Sequence, residues 1–110
     1  MANQVRPIVI TTTSDNREKL LELATKLVED GLVACAQVAS TPITSIYQWE
    51  GKTETSEEFV LTIKTIERHF KAVEKTIHEL HNYDVPQIVA VEVVEIGTEY
   101  QKWLVGSVTN

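Results

Sequence analysis

The chain has 110 residues and a mass of 12.4 kDa, which is the size of one domain and leaves no room for two independent cores. Ten Lys and Arg stand against sixteen Asp and Glu, so the net charge is −6, and this balance with no basic run argues against a nucleic-acid or anionic-membrane partner. One cysteine excludes an intramolecular disulfide, and no segment approaches the ~18 apolar residues of a membrane span, so we expect a soluble protein of a reducing compartment.

The chain begins with a predicted strand and a predicted helix. Residues 8–13 are β-branched throughout, which predicts a buried strand. A cluster of N-cap residue types, Ser14-Asp15-Asn16, comes next, with Glu18 three positions after Asp15, and apolar residues at helical spacing follow. The pattern predicts a helix over 15–30, with Gly31 as its left-handed C-cap.

The next segment predicts a long hairpin. Residues 32–39 form a second apolar stretch, and β-favouring residues resume over 44–49 after an interruption at Pro42. Gly51 supplies the positive φ that a tight turn needs, and alternation over 55–66 predicts the returning strand. The two arms of the hairpin therefore span 32–50 and about 55–66.

The last part of the chain predicts a helix, a strand and a short helix. Apolar residues alternately four and three positions apart predict the second helix. They are Ile66, Phe70, Val73, Ile77 and Leu80. Residues 88–96 predict a fourth strand, which Gly97 ends. Thr98 and Gln101 have capping-box spacing for a C-terminal helix. That helix would carry Tyr100, Trp103 and Leu104.

The order strand, helix, strand, strand, helix, strand is that of the ferredoxin-like βαββαβ sandwich. Right-handed crossovers would then place both helices on one face of an antiparallel sheet. We therefore predict a single α+β domain over residues 1–110, with a long hairpin between its second and third strands and a short C-terminal helix.

The hairpin carries more apolar surface than the two helices can cover. Ile46, Tyr47 and Trp49 lie next to its tip, and a two-stranded ribbon is only marginally stable alone. Either the ribbon pairs with other copies of the chain, or it folds back over the open sheet face as the lid of a monomer. We favour assembly.

The candidate metal ligands are histidines of the second helix and the single cysteine. His69, His78 and His81 lie in or beside that helix, and His78 and His81 share a face with Glu74. Imidazole and carboxylate suit Cu(II), Ni(II) or Zn, although ordinary surface histidines would give the same pattern. Cys35 is either a metal-binding or redox thiolate or a small buried hydrophobic residue.

Three glutamates after the hairpin tip and one lysine in the returning strand are further candidates for a functional role. Glu54, Glu57 and Glu58 follow the hairpin tip and could act as general acids or bases, but a solvated hairpin arm is the interpretation we favour. Lys64 lies in an apolar strand, where a lysine must reach solvent or find a partner. It would either anchor a ligand or form a salt bridge between subunits.

Several motifs, taken together, resemble the CutA family, the divalent-cation-tolerance proteins. They are Ala34-Cys35, Ser45-Ile46-Tyr47-Gln48-Trp49-Glu50-Gly51-Lys52, Lys64-Thr65, His81-Asn82-Tyr83-Asp84-Val85-Pro86-Gln87-Ile88 and Tyr100-x-x-Trp103-Leu104. The match runs in order from about residue 8 to residue 105.

This resemblance implies a ferredoxin-like subunit of a tight homotrimer in the cytoplasm, whose long hairpins wrap around neighbouring subunits. It implies a role in tolerance of copper and other divalent cations, and some relatives are tied to anchoring or trafficking of other proteins. No enzyme activity is implied. We expect Cu(II) or another divalent cation as a weak ligand, and no tightly bound cofactor.

The resemblance also carries residues over by position. Four of them would lie at a ligand cleft between subunits; they are Tyr47, Trp49, Lys64 and Tyr83. Three would be metal ligands; they are His81, Cys35 and His78, with His78 as a substitute one turn back from His81.

The chain departs from the family pattern at several positions. Asn82 stands where proline is usual, Gln37 where asparagine is usual, and Gln87 where a glutamate usually follows the proline. Thr11 and Leu80 occupy positions that are cysteine and histidine in some members. These losses weaken a family-type copper site and leave His81 nearly alone.

Three functions remain open from the sequence. The first is a trimeric protein that responds to divalent cations by weak metal or ligand binding. The second is a signalling or scaffold module whose intersubunit clefts bind a small anion or a partner protein. The third and least favoured is an enzyme that uses Cys35 or Glu58 with His81, for which no oriented nucleophile and base are evident.

Overall fold

The computed structural model describes residues 5–109 as a mixed α/β fold with an antiparallel sheet and three helices, in the predicted order. The elements are β1 (Pro7–Ser14), α1 (Arg17–Glu29), β2 (Cys35–Val38), β3 (Ile43–Trp49), β4 (Lys52–Ile66), a 3₁₀ turn (Glu67–His69), α2 (Phe70–Leu80), β5 (Val89–Glu92) and α3 (Thr98–Ser107). Within these residues, no helix is long and apolar enough to cross a bilayer.

The strands pair in the order β2-β4-β1-β5, and every pairing is antiparallel. Ile10 in β1 lies opposite Ile63 in β4 on one side and opposite Ala90 in β5 on the other. The arm interrupted at Pro42 becomes two strands, of which β2 pairs with the second half of β4 and β3 with its first half.

Helices α1 and α2 cover one face of this sheet. Because strand side chains alternate between faces, Ile8 and Ile10 point the same way as their β4 neighbours Leu61 and Ile63. The core lies between these strands and the helices. Its buried members are Ile8, Ile10, Leu20, Leu23, Ala24, Leu27, Val33, Leu61, Ile63, Val73 and Ile77. All of them come from one side of the sheet, from the two helices or from the connection after α1.

The other side of the sheet, here called the open face, has no such cover. It is formed by Val9, Thr11, Thr13, Cys35, Gln37, Glu58, Val60, Thr62, Lys64, Val89 and Val91. At one end α3 contacts β1 and β4, buries Leu104 and brings Tyr100 beside Cys35. Val89 and Val91 of β5 remain about half exposed, at 50% and 56%.

Strands β3 and β4 form a ribbon that projects from the sheet. Its two-residue turn, Glu50-Gly51, has φ of 51° and 80°, and positive φ at both positions is what a type I′ hairpin turn requires. The molecule measures 49 × 25 × 24 Å, and Ile46 and Trp49 on the ribbon are 70% and 51% exposed. The ribbon therefore does not fold back over the open face as a monomer lid.

The strands predicted over 32–39 and 88–96 are shorter in the structure. Leu32 lies in the turn that caps α1, since its N–H donates to the Leu27 carbonyl oxygen, and the strand begins three residues later. β5 ends near Pro7, which has no N–H to continue the ladder with β1. At its other end the Thr13 carbonyl oxygen is already bonded to His81. The prediction of a strand over 88–96 was therefore too long at both ends.

One of the two predicted capping arrangements is confirmed and the other is corrected. Within the predicted N-cap cluster of α1, Asn16 is the capping residue, because its side chain accepts from the Lys19 N–H at 3.1 Å. The Thr98–Gln101 capping box does not form, because Gly97 is the N-cap of α3 and Thr98 lies inside its first turn. Gly31 has the predicted left-handed conformation after α1, with φ of 73°.

Candidate functional site

A groove of about 580 Å³ lies between the ribbon and the segment 83–87. Its lining residues are Thr13, Ser45, Ile46, Tyr47, Trp49, Glu58, Tyr83, Asp84, Val85 and Gln87. The structure thus brings together three of the four predicted cleft residues, namely Tyr47, Trp49 and Tyr83. Lys64 does not line this groove.

Tyr83 connects the groove wall to two other elements. Its hydroxyl donates to Glu58 Oε2 at 2.7 Å and accepts from the Asp15 N–H at 3.0 Å. Burial, together with the hydrogen bond to the Glu58 carboxylate, raises the pKa of Tyr83 well above its usual value. The phenol therefore remains a neutral donor to Glu58 across the physiological pH range.

Glu58 is buried, so the expectation of a solvated hairpin arm was wrong at this position. Its residue exposure is 7%, whereas Glu54 and Glu57 nearer the hairpin tip are exposed as expected. Glu58 lies opposite Ile43, where the ribbon leaves the sheet, and Tyr83 packs over it there. No other described residue donates to the carboxylate or forms an ion pair with it.

The segment that carries Tyr83 is fixed to the start of α1. Ser14 Oγ donates to Asn82 Oδ1 at 2.6 Å and accepts from the Asn16 N–H at 3.0 Å. Asn82 Nδ2 donates to Asp15 Oδ1 at 2.8 Å. A proline at this position could make neither side-chain bond, so Asn82 gives the connection after α2 its own attachment.

His81 holds the same segment through both of its ring nitrogens. Nδ1 accepts from the Tyr83 N–H at 2.9 Å, so Nε2 carries the proton and donates to the Thr13 carbonyl oxygen at 2.8 Å. The imidazole lies 4.8 Å from the Tyr83 ring, measured between centroids. A metal ion at either nitrogen would have to displace a backbone hydrogen bond.

The other predicted ligands lie away from His81. His78 is exposed on α2, whereas Cys35 is partly buried on the open face beside Tyr100. Lys64, opposite Cys35 in the ladder, donates to Gln37 Oε1 at 2.8 Å. Across residues 5–109, no group of three or more His, Cys, Asp or Glu side chains could hold one metal ion.

The separation of Cys35 from His81 follows from the strand register. Cys35 lies opposite Lys64 of β4, and Thr13, which bonds His81, lies opposite Val60. Four residues along a strand span about 13 Å. Cys35 and His81 therefore cannot share one metal ion within a subunit.

From the sequence, Glu58 was expected to be solvated, and Thr13 and Asp84 were not identified as residues of the site. The alternation of β4 does place Glu58 on the open face together with Val60. The partner that buries it, Tyr83, comes from 25 residues further along the chain, and no local pattern points to it.

Comparison with known proteins gives a consistent result over nearly the whole chain. The family model described as CutA1 divalent ion tolerance protein matches residues 8–107. The divalent-cation tolerance protein CutA of Thermus thermophilus is 35% identical over 96 residues, which cover 87% of this chain and 92% of that protein. The chloroplastic protein CutA of Arabidopsis thaliana is 34% identical over 106 residues, and the matched region spans 96% of this chain but 58% of that protein's length.

The solved structures agree with the sequence relatives. The crystal structure of CutA1 from Oryza sativa superposes with a TM-score of 0.90 at 34% identity, covering 96% of this chain and 95% of that one. The motifs at 45–52 and 81–88 lie in the ribbon and in the segment that closes the groove. On the family match, the sequence identity and the shared fold, the chain belongs to the CutA1 divalent ion tolerance family.

Proposed function

We propose that this protein acts in divalent-cation tolerance as a homotrimer of ferredoxin-like subunits, binding cations weakly and catalysing no reaction. The family name supports the tolerance role. The strand order β2-β4-β1-β5, with β2 and β3 taken as one interrupted arm, supports the ferredoxin-like topology.

The observation that carries the trimer proposal is the apolar surface that one subunit leaves uncovered. Val89 and Val91 of β5 are exposed at the sheet edge, and Ile46 and Trp49 are exposed on the ribbon. Exposed apolar patches and open strand edges favour association between chains. A partner copy that covers the open face would bury them.

Cation binding in this proposal is weak because the candidate ligands are spread over the surface. The imidazole of His78 suits Cu(II) and Zn, and the thiol of Cys35 suits softer ions such as Cu(I) and Zn, but each lies on a different element. The net charge of −6 per chain would raise the local concentration of divalent cations at low salt. His81 serves to hold the 81–84 segment and not as a ligand.

The assembly is tested by light scattering during size-exclusion chromatography. The expected mass is three times the 12.4 kDa of the chain, at micromolar concentration and physiological salt. A mass of one chain under these conditions would reject the trimer.

Metal binding is tested by equilibrium dialysis against Cu(II) at physiological salt. We expect weak, reversible uptake that His78→Ala lowers and that His81→Ala, its matched control, leaves unchanged. Tight uptake that depends on His81 would contradict the assignment of its imidazole to the backbone.

We also propose a cytoplasmic location, which the single cysteine supports because free thiols persist in a reducing compartment. Cell fractionation with an antibody to the protein tests it. Recovery in a membrane-bounded compartment, as the chloroplastic relative's name indicates for that protein, would contradict it.

A further inference from the structure

We propose that helix α3 is a releasable cover on one end of the sheet, held closed by a latch near the end of the chain. The latch consists of two hydrogen bonds from Thr109, whose N–H and Oγ1 both donate to the Gly31 carbonyl oxygen, at 2.9 and 3.2 Å. When these bonds break, α3 leaves β1 and β4, while the core under α1 and α2 stays folded. The strand surface under α3 is covered by the chain itself, so it lies apart from the uncovered surface that carries the trimer proposal.

The first argument is that the Gly31 side of the latch is fixed to the core. The Leu32 N–H donates to the Leu27 carbonyl oxygen, which ties this turn to the end of α1. The Leu32 carbonyl oxygen accepts from Thr65 Oγ1 at 2.7 Å and from His69 Nδ1 at 2.8 Å. Both of these side chains are buried. The turn therefore moves with the core and not with α3.

The second argument is that α3 itself is weakly held. It has ten residues, and isolated helices of this length are marginal in water. Leu104 is its one buried residue, whereas α1 buries four residues and α2 buries three. Its N-cap, Gly97, has no side chain that could bond the first turn. Elements with so little buried surface open locally at a lower free energy than the core.

The third argument is that few other bonds hold this part of the chain. Among residues 5–109, the Thr109 N–H makes the one backbone hydrogen bond between residues 97–109 and the remaining fold. The Ser107 hydroxyl donates to the Trp103 carbonyl oxygen and so stays within α3. Tyr100 meets the thiol of Cys35, which is a weak hydrogen-bonding group. The latch is therefore the main polar attachment of α3.

The fourth argument is the close fit between the two sides of the latch. Gly31 has φ of 73°, and a Cβ at this position would lie 2.6 Å from Thr109 Cγ2. Glycine is needed here for its conformation and for the close approach of the chain end. A side chain at residue 31 would force Thr109 to shift.

The test is native-state hydrogen exchange of the full chain, measured by mass spectrometry on peptides from α3 and from the middle of α1. In the wild-type protein we expect the α3 amides to exchange at least about a hundredfold faster than those of Leu23 and Leu27. Exchange of α3 at the rate of the core would overturn the proposal, because it would show that the helix does not open on its own.

Thr109→Pro removes both donors of the latch, and the extended backbone of Val108 suits a following proline. We expect the α3 amides to exchange about tenfold faster than in the wild-type protein, with no change in the core. Thr109→Ser is the matched control, since serine keeps the N–H and the hydroxyl and should exchange like the wild-type protein. Equal α3 rates in the two variants would mean that these bonds do not hold the helix, and would reject the latch.

Gly31→Ala tests the latch from its fixed side. The new Cβ would meet Thr109 Cγ2, so the α3 amides should exchange severalfold faster. In a Thr109→Ser background this methyl group is absent, and the nearest remaining atoms of residue 109 are 3.7 Å away. The acceleration should then be smaller, although the backbone strain at residue 31 is the same. An equal acceleration in both backgrounds would assign the effect to strain alone and would overturn the latch.

Gly106→Ala should act in the opposite direction. Gly106 lies inside α3, and an added Cβ meets nothing within 4 Å. Because alanine favours a helix more than glycine does, the α3 amides should exchange severalfold more slowly while the core is unchanged. Equal slowing of α3 and the core would show that α3 opens only when the whole subunit unfolds, which contradicts a releasable cover.

Discussion

The two faces of the same sheet differ in how completely one chain covers them. On the helix side, Ile10, Leu61 and Ile63 are fully buried under α1 and α2. On the open face, Val89 and Val91 lie in a neighbouring strand, are also branched aliphatic residues, and remain half exposed. Burial therefore depends on what packs over a strand and not on the residue type.

This difference separates the stability of the subunit from its interactions. The helix-covered face supplies the core that holds the fold, whereas the open face and the ribbon supply the groove and the uncovered apolar surface. Substitutions on the first should change the free energy of unfolding. Substitutions on the second should change binding or assembly.

The largest effect is expected in the core. Leu27→Ala should lower the free energy of unfolding by about 2–5 kcal/mol, because the Leu27 side chain is fully buried and its removal leaves a cavity. Leu21→Ala is the matched control on the same helix, where the residue is 39% exposed and a loss within about 1 kcal/mol is expected. Urea denaturation measures both, and equal losses would contradict the comparison.

A smaller loss in the free energy of unfolding is expected when His81 is replaced. This residue joins β1 to the segment 81–84. His81→Ala should cost about 1–3 kcal/mol, because the Thr13 carbonyl and the Tyr83 N–H both lose their partner. His78→Ala, on the exposed side of α2, should change stability by less than about 0.5 kcal/mol. Thermal unfolding without metal ions distinguishes them, and two equal values would mean that His81 is not structural.

Tyr83→Phe should cost about 1 kcal/mol at neutral pH, because the hydroxyl joins Glu58 to Asp15. Burial raises the pKa of Tyr83 in the folded protein, whereas the unfolded chain ionises near its usual value of about 10. The unfolded state therefore releases this proton first, so the stability contribution is complete below pH ~10 and is lost as the pH rises further.

The pH dependence of unfolding provides the check on Tyr83. Above pH ~10 the wild-type protein should lose stability more steeply than Tyr83→Phe. A Tyr83→Phe curve with an unchanged slope would contradict the assigned proton.

The smallest effect on the subunit itself is expected on the open face. Val91→Asp should change the far-UV circular dichroism little, since Val91 is 56% exposed. Because the open face is the proposed contact between copies, the same substitution should lower the mass measured by light scattering. Val28→Asp, on the outer side of α1 and 44% exposed, is the control that should retain the assembly. Loss of mass in both variants would mean that the open face is not the interface.

The sequence predicted the secondary-structure elements best where periodicity and burial coincide. The stripe of α2 is an example, since Val73 and Ile77 are buried and Phe70 and Leu80 pack partly against the core. The strand predicted over 88–96 was too long, because a run of valines and isoleucines favours extended structure whether or not a neighbour is present to pair with it.

The candidate site was predictable only in part, because its contacts join distant parts of the chain. Tyr47, Trp49 and Tyr83 were identified through their motifs, and the structure places all three on one groove. The burial of Glu58 depends on a partner 25 positions away, and His81 Nε2 binds a carbonyl oxygen 68 positions away. Spacing within a helix made His81 look like a ligand, whereas its partners are backbone groups.

The hydroxyl of Ser14 has a consequence for the order of folding. It binds Asn82 across 68 positions of sequence, while it also accepts from Asn16 at the start of α1. Contacts of such high sequence separation carry a loop-closure cost and tend to form after local ones. The hairpin with its two-residue turn can form early. The segment 83–87 that faces it is held in place only after residues 14 and 82 have met. We therefore expect the groove to be among the last features to appear as the protein folds.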